Sequence, residues 1–146
     1  MDITNAKFIV ASGPVIVEDG KVLLNRHGDD NFWKFTGGRV ESADFDADSD
    51  ALEEACHREA KEEMGFEIEI IRPLKTLMIP HPEKSDTIIM LVHYLARRIG
   101  EIKIGADIKE YDWFDLNKLP ENCAPNIGPI VEEYQAAEKQ GSREAE

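Results

Sequence analysis

The largely apolar segments at residues 7–17 (KFIVASGPVIV) and 21–26 (KVLLNR) read as strands. The intervening Glu18, Asp19 and Gly20 predict a tight hairpin between two strands. The pattern changes at Asp50. Residues 50–64 carry helical spacing, with Asp50 and Glu53 as start signals and Gly65 as the stop. Strand-like alternation follows over 66–80 and 86–99, two long segments expected to pair across a turn rich in Pro, His and Asp, and a further strand is expected over Glu110–Phe114. A short helical turn over Asn117–Pro120 and a helix over Ile127–Lys139, with Ile127, Ile130, Val131 and Tyr134 on one side, complete the pattern. The order predicts one α/β domain over residues 1–139, a mixed sheet with a helix on each face, and a polar tail at 140–146 expected to fray.

The helix at 50–64 breaks the amphipathic rule. At about 100° per residue, Leu52, Ala55, Cys56, Ala60 and Met64 share one broad side, and Glu59 and Glu63 fall in its middle with Glu62 at its border. A carboxylate turned toward packing costs several kcal/mol unless it is paired, protonated or bound to a metal. Glu59 and Glu63 stand one turn apart, so a single rigid helix can offer three hard oxygen ligands to one or two magnesium ions.

Composition narrows the chemistry. The 146 residues are 42% hydrophobic and 32% charged, the profile of a globular domain, with neither an apolar run of membrane-spanning length nor a signal-peptide pattern, so a cytoplasmic location is expected and no membrane partner. Net charge is −13, and residues 41–69 hold twelve acids against Arg58 and Lys61, which places −10 of it in one segment. Such a field repels nucleic-acid polymers and attracts divalent cations. Cys56 and Cys123 make neither a disulfide framework nor a metal spacing.

The run REAKEEMGF at 58–66 resembles the second half of the box that names the Nudix hydrolase family, G-x5-E-x7-R-E-U-x-E-E-x-G-U with U a bulky apolar residue. Arg58, Glu59, Glu62, Glu63, Gly65 and Phe66 match in order, and Ala60 is a small occupant of a U position. Counting back from Arg58 puts Asp50 where the family has Glu and leaves the box glycine six residues further upstream, at Gly38. The chain thus looks like a member with about six residues inserted in the loop before the helix, expected to alter the rim of the site more than its chemistry. It also has Thr36 where members commonly place Pro before the Gly37–Gly38 pair.

The resemblance implies the Nudix α/β/α sandwich and a MutT-like nucleotide pyrophosphohydrolase, dependent on magnesium or manganese, that splits a phosphoanhydride in a nucleoside diphosphate linked to another group. It implies metal ligation by Glu59, Glu62, Glu63 and the Gly37 carbonyl. It also casts Arg58 as a catalytic orienter whose guanidinium holds Glu59 bidentately. The substrate is then a small nucleotide and the enzyme a monomer or homodimer. The alternative is a catalytically silent Nudix-like module that binds a nucleotide, and intact Glu59, Glu62 and Glu63 favour the enzyme.

Other residues carry two readings each. Trp33, beside Phe32, is open between stacking on a nucleobase and core packing. Arg39 is open between a phosphate contact and a surface ion pair. Asn126, ahead of the last helix, resembles an asparagine that reads the base in nucleotide-sanitising members, and also fits a helix cap. Asp44, Asp46 and Asp48 open like a calcium loop, but Ser49 and Ala55 stand where such a loop needs Gly and Glu, which leaves a solvated acidic loop. Glu110 or Asp112 is a candidate remote carboxylate, and structural roles suit both. His27, His57, His81 and His93 show no ligand spacing.

Overall fold

The computed structural model describes residues 2–46 and 50–145, with side chains through residue 141. The predicted hairpin forms from β1 (Lys7–Glu18) and β2 (Lys21–His27). Its two-residue turn places Asp19 and Gly20 at φ 50° and 74°, the left-handed region that an Asp-Gly pair tolerates and a right-twisted hairpin requires. The strands then part. Only Val17↔Val22 and Glu18↔Lys21 pair directly, and β3 (Gly38–Arg39) takes over the edge of β1 at Ala11 and Ser12. The segment before β3 wedges between β1 and β2: Lys34 exchanges backbone hydrogen bonds with Asn25, and a Cβ on Gly13 would collide with the Thr36 carbonyl. This parting of the sheet is where the candidate site lies.

After α1 (Ala51–Met64) come β4 (Glu67–Pro73), β5 (Leu77–Pro80) and β6 (Thr87–Ile99). The single strand expected over 66–80 is broken into β4 and β5, both antiparallel to β6. The register slips between Ile70 and Arg72, Pro73 has no N–H to give the ladder, and the Leu74 amide donates to the His93 carbonyl instead. β6 also pairs in parallel with β1 from Lys7↔Thr87 to Ile16↔Ala96, and β7 (Ile108–Asp115) closes the far edge against β2. The sheet order is β4–β6–β1–β2–β7, with β3 on β1 and β5 on β6.

Side-chain alternation divides the core in two. Ile16, Leu23, Val92, Tyr94 and Ala96 pack on Cys56, Ala60 and Met64 of α1, while Val15, Val22, Leu24 and Leu95 pack on Ile127, Ile130 and Val131 of α2 (Ile127–Ala145). Each large side chain so buried stabilises the fold by roughly 1.5–3 kcal/mol. The result is a mixed sheet between two helices. α2 runs six residues past Lys139. The expected helical turn at Asn117–Pro120 is instead a hydrogen-bonded turn, in which Asp115 accepts the Asn117 amide on its side chain and the Lys118 amide on its carbonyl. Ser42–Phe45 forms a single 3-10 turn that the pattern did not predict. Among the described residues, no helix is long and apolar enough to cross a membrane.

Candidate active site

Asp50 caps α1, its Oδ1 accepting the Leu52 amide at 2.7 Å, and Gly65 at φ 74° ends it. The Leu52 carbonyl in turn accepts from the buried Ser12 hydroxyl at 2.6 Å, tying the first turn of the helix to β1. With Ala55, Cys56, Ala60 and Met64 wholly buried, the rotation of the helix is set, and Glu59 and Glu63 are carried into the interface, each 8% exposed. Glu62 stays at the solvent border.

Glu63 Oε1 accepts the Gly37 amide at 3.0 Å. His27 Nε2 lies 2.9 Å from Glu63 Oε2, within ion-pair range but not aligned as a hydrogen bond. Burial pushes the Glu63 carboxyl up to about 7 against the pull of the Gly37 amide, and the charge of Glu59 adds to the rise. Burial raises Glu59 as well, opposed by its hydrogen bond from Arg58. Gly38 passes directly over Glu59, where a Cβ would overlap the carboxylate. That close approach is why glycine stands there.

Arg58 is the hub. Its Nε donates to Asp44 Oδ1 at 2.9 Å and its Nη2 to Asp44 Oδ2 at 3.0 Å and to the Arg39 carbonyl at 2.9 Å; Nη1 donates to Glu59 Oε1 at 2.8 Å and to Glu62 Oε2 at 3.1 Å. The bidentate grip expected on Glu59 is therefore made on Asp44, and Glu59 receives one hydrogen bond. A guanidinium offers its Nε–Nη2 edge to only one carboxylate, and Asp44 arrives on that side.

The reading of Asp44 as part of a solvated acidic loop is corrected. It is 4% exposed, and its Oδ2 also accepts the Glu41 amide at 2.8 Å. Asp46 is exposed, and Asp48 and Ser49 lie outside the described residues. Counting forward from Gly38, rather than back from Arg58, reaches an acid after five residues at Asp44, so the extra residues fall between Asp44 and the helix. Asp50 serves the helix end and makes no bond to Arg58. The segment taken as a rim insertion thus includes the anchor of the site's arginine.

The side chains of the remaining candidates sit apart from these contacts. Arg39 is exposed, and among the described residues its guanidinium makes no ion pair. Trp33 packs in the α2-side core, edge-on to Phe114 at 4.8 Å and beneath the Arg26 guanidinium at 5.2 Å. Glu110 pairs with Arg26, and Asp112 accepts the Trp113 amide. Asn126 accepts the Ile130 amide on its backbone carbonyl, as a cap residue does, but its side-chain amide donates to His93 Nε2 at 2.9 Å. Nδ1 of that buried histidine lies 2.8 Å from the Lys75 carbonyl, which can only accept, so Nδ1 carries the proton and Nε2 is left to receive Asn126. Nothing in the spacing of His93 signalled this pairing, which spans 33 residues.

That geometry replaces the side-chain cap with a different expectation. Asn126→Asp is harmless to a cap, but it removes the donor facing His93 and should cost about 1–3 kcal/mol while the imidazole is neutral. A carboxylate there raises the folded-state pKa of His93, which burial otherwise lowers, so the lost stability should return as pH falls. Melting temperatures of the two proteins across pH test this; a constant difference would contradict it.

The sequence of residues 7–134 matches the NUDIX domain family model. The chain belongs to the Nudix family. It is 34% identical over 128 residues to an ADP-ribose pyrophosphatase of Methanocaldococcus jannaschii, a match that covers 86% of this chain and 72% of the relative. Its fold superposes on a MutT Nudix hydrolase from Burkholderia pseudomallei with a TM-score of 0.73 at 25% identity, covering 87% and 98% of the two chains. The E. coli ORF135 protein superposes with a TM-score of 0.70 at 26% identity, covering 90% and 91%. The sheet between two helices is the Nudix α/β/α sandwich, and the protein is a Nudix pyrophosphohydrolase.

Nudix hydrolases generally use divalent metal ions, and the donors here suit one. Glu59, Glu62, Glu63 and the Gly37 carbonyl are all hard oxygens, and buried Glu59 and Glu63 sit near enough for the charge of one to raise the pKa of the other. As the side chains stand, no three His, Cys, Asp or Glu among the described residues converge on one point, because Glu59 and Glu62 turn to Arg58 and Glu63 to Gly37.

The raised pKa of Glu63 makes a prediction for the metal-free protein. A carboxyl moved from its ordinary 4.5 to about 7 favours folding fully below pH 4.5 and loses that contribution as pH rises through 7. The loss is on the order of 3 kcal/mol. Glu63→Gln should flatten this part of the stability–pH curve, as chemical denaturation at several pH values would show; identical curves would refute it.

Proposed function

We propose that the protein hydrolyses the phosphoanhydride of a nucleoside diphosphate linked to another group, with ADP-ribose the first substrate to test, using magnesium or manganese held by Glu59, Glu62, Glu63 and the Gly37 carbonyl. The observation that carries this reading is the pair of buried glutamates on α1 beneath Gly37 and Gly38, Glu59 oriented by Arg58 and Glu63 by the Gly37 amide. The archaeal relative's name supports the substrate class.

When bound, the cation would screen the charge of the pyrophosphate and lower the pKa of the attacking water. Glu59 takes the water's proton. Burial makes it a stronger base than a surface glutamate, while the Arg58 hydrogen bond keeps it ionised and aimed. Arg39, exposed and without a carboxylate partner among the described residues, binds the phosphate oxygens from the rim. A silent module would have no use for this whole arrangement.

The experiment is a product assay on ADP-ribose, nucleotide sugars, nucleoside triphosphates and dinucleoside polyphosphates, with magnesium, with manganese and with a chelator. Cleavage of ADP-ribose should give AMP and ribose 5-phosphate in equal amounts, and only with a cation present. Absence of turnover on every class would overturn the proposal.

A further inference from the structure

We propose that His27 is a ligand of the divalent cation: its Nε2 binds beside Glu63 Oε2 and turns the site toward a first-row transition ion such as manganese and away from magnesium. The inference rests on the reading of the α1 glutamates as the cation site.

His27 is the last residue of β2. Strand alternation puts it on the α1 side of the sheet, two residues on from Asn25, whose side-chain amide meets Met64 Sδ of α1. The ladder with β7 slips between Arg26 and His27, an irregularity of the kind that re-aims a strand end. The backbone is held on both sides: the His27 carbonyl accepts the Asp30 amide, and the Gly28 amide donates to the Asp107 carbonyl. The ring is thereby delivered to Glu63, the residue before Met64 on α1.

There Nε2 has no partner. It is buried and makes no hydrogen bond among the described residues, although Glu63 Oε2 is 2.9 Å away. The N–H or lone pair of an imidazole nitrogen lies in the ring plane, and at His27 that direction passes beside the carboxylate oxygen rather than at it. A proton on Nε2 would be buried unpaired, which is costly. A lone pair on Nε2, next to an oxygen with lone pairs of its own, is what an ion satisfies. Two atoms bound at right angles to one cation, each about 2.1 Å from it, stand about 3 Å apart, and this pair has that separation.

Glu63 Oε1 is committed to the Gly37 amide, so Oε2 is the oxygen left to bind. Glu59 and Glu62 are turned to Arg58, which leaves His27 and Glu63 as the two donors already side by side. Magnesium takes oxygen donors, whereas a mixed nitrogen and oxygen set suits first-row transition ions.

The test loads the full chain with one equivalent of manganese(II) and records its pulsed EPR spectrum. The wild type should show modulation from a directly bound imidazole nitrogen, and His27→Gln should not. Calorimetry should find manganese binding weakened roughly 10- to 100-fold in His27→Gln, the range seen when even a group behind a metal ligand is removed, with magnesium binding little changed. His27→Glu, which returns an oxygen donor, should lack the nitrogen signal and bind magnesium more tightly than His27→Gln. If His27→Gln does not fold, His27→Asn takes its place. A wild-type spectrum without imidazole nitrogen, a nitrogen signal that survives in the variant, or an equal change for the two metals would overturn the proposal.

The spectrum is read without substrate, so the two readings fail separately. A wild type that hydrolyses nucleotides but shows no bound nitrogen refutes the ligand alone. A wild type that shows the nitrogen but turns over no substrate supports the ligand and refutes the hydrolase reading.

Discussion

Glu63→Gln, and separately Glu62→Gln, should abolish most cation-dependent turnover, by roughly two orders of magnitude or more, while the fold survives. The two residues differ in a way that sharpens the result. Glu63 is buried with a raised pKa, so replacing it with a neutral isostere removes a charge from a poorly solvated site, and the amide oxygen can still accept the Gly37 N–H. Stability at neutral pH should therefore hold or rise as activity is lost. Glu62 is exposed and, among the described residues, its carboxylate bonds to Arg58, so its replacement should leave the unfolding free energy within about 0.5 kcal/mol of wild type. Steady-state kinetics with a metal titration, alongside thermal melts, measures both. Near wild-type turnover in both variants would sink the assignment of the site.

The second large effect is expected from Gly38→Ala. The added methyl would occupy the space of the Glu59 carboxylate, so the base must move or β3 must lift from α1. Either way kcat should fall about 100-fold, with about 1–3 kcal/mol of stability lost to the forced contact. Gly128→Ala is the control: a Cβ there meets nothing within 4 Å, and activity should not change. An active Gly38→Ala enzyme would mean that Glu59 does its work from some other position than the one beneath Gly38.

Local pattern alone was enough for much of this molecule. The turn at Asp19 and Gly20, the cap at Asp50, the stop at Gly65 and the two apolar helix faces are decided by residues within a few positions of one another, where φ preferences and helical or strand periods act. The same is true of the anomaly that located the site. Glu59 and Glu63 are seen to face inward from the phase of the helix, without knowledge of what lies across from them.

What lay across was settled only by the tertiary structure, because pairing between distant segments leaves little trace in local period. The parallel register of β1 with β6, the parting of β1 from β2 that brings Gly37 to Glu63, and the donation from Asn126 to His93 join residues 26 to 80 positions apart. Asp44 shows the difference most sharply. Its number of residues from Gly38 was readable, but so was Asp50's from Arg58, and spacing gives two acids equal claim when the connection between them is longer than usual. Packing ended the tie: the 3-10 turn buries Asp44 against the guanidinium, while the helix start takes the Asp50 carboxylate for its Leu52 amide.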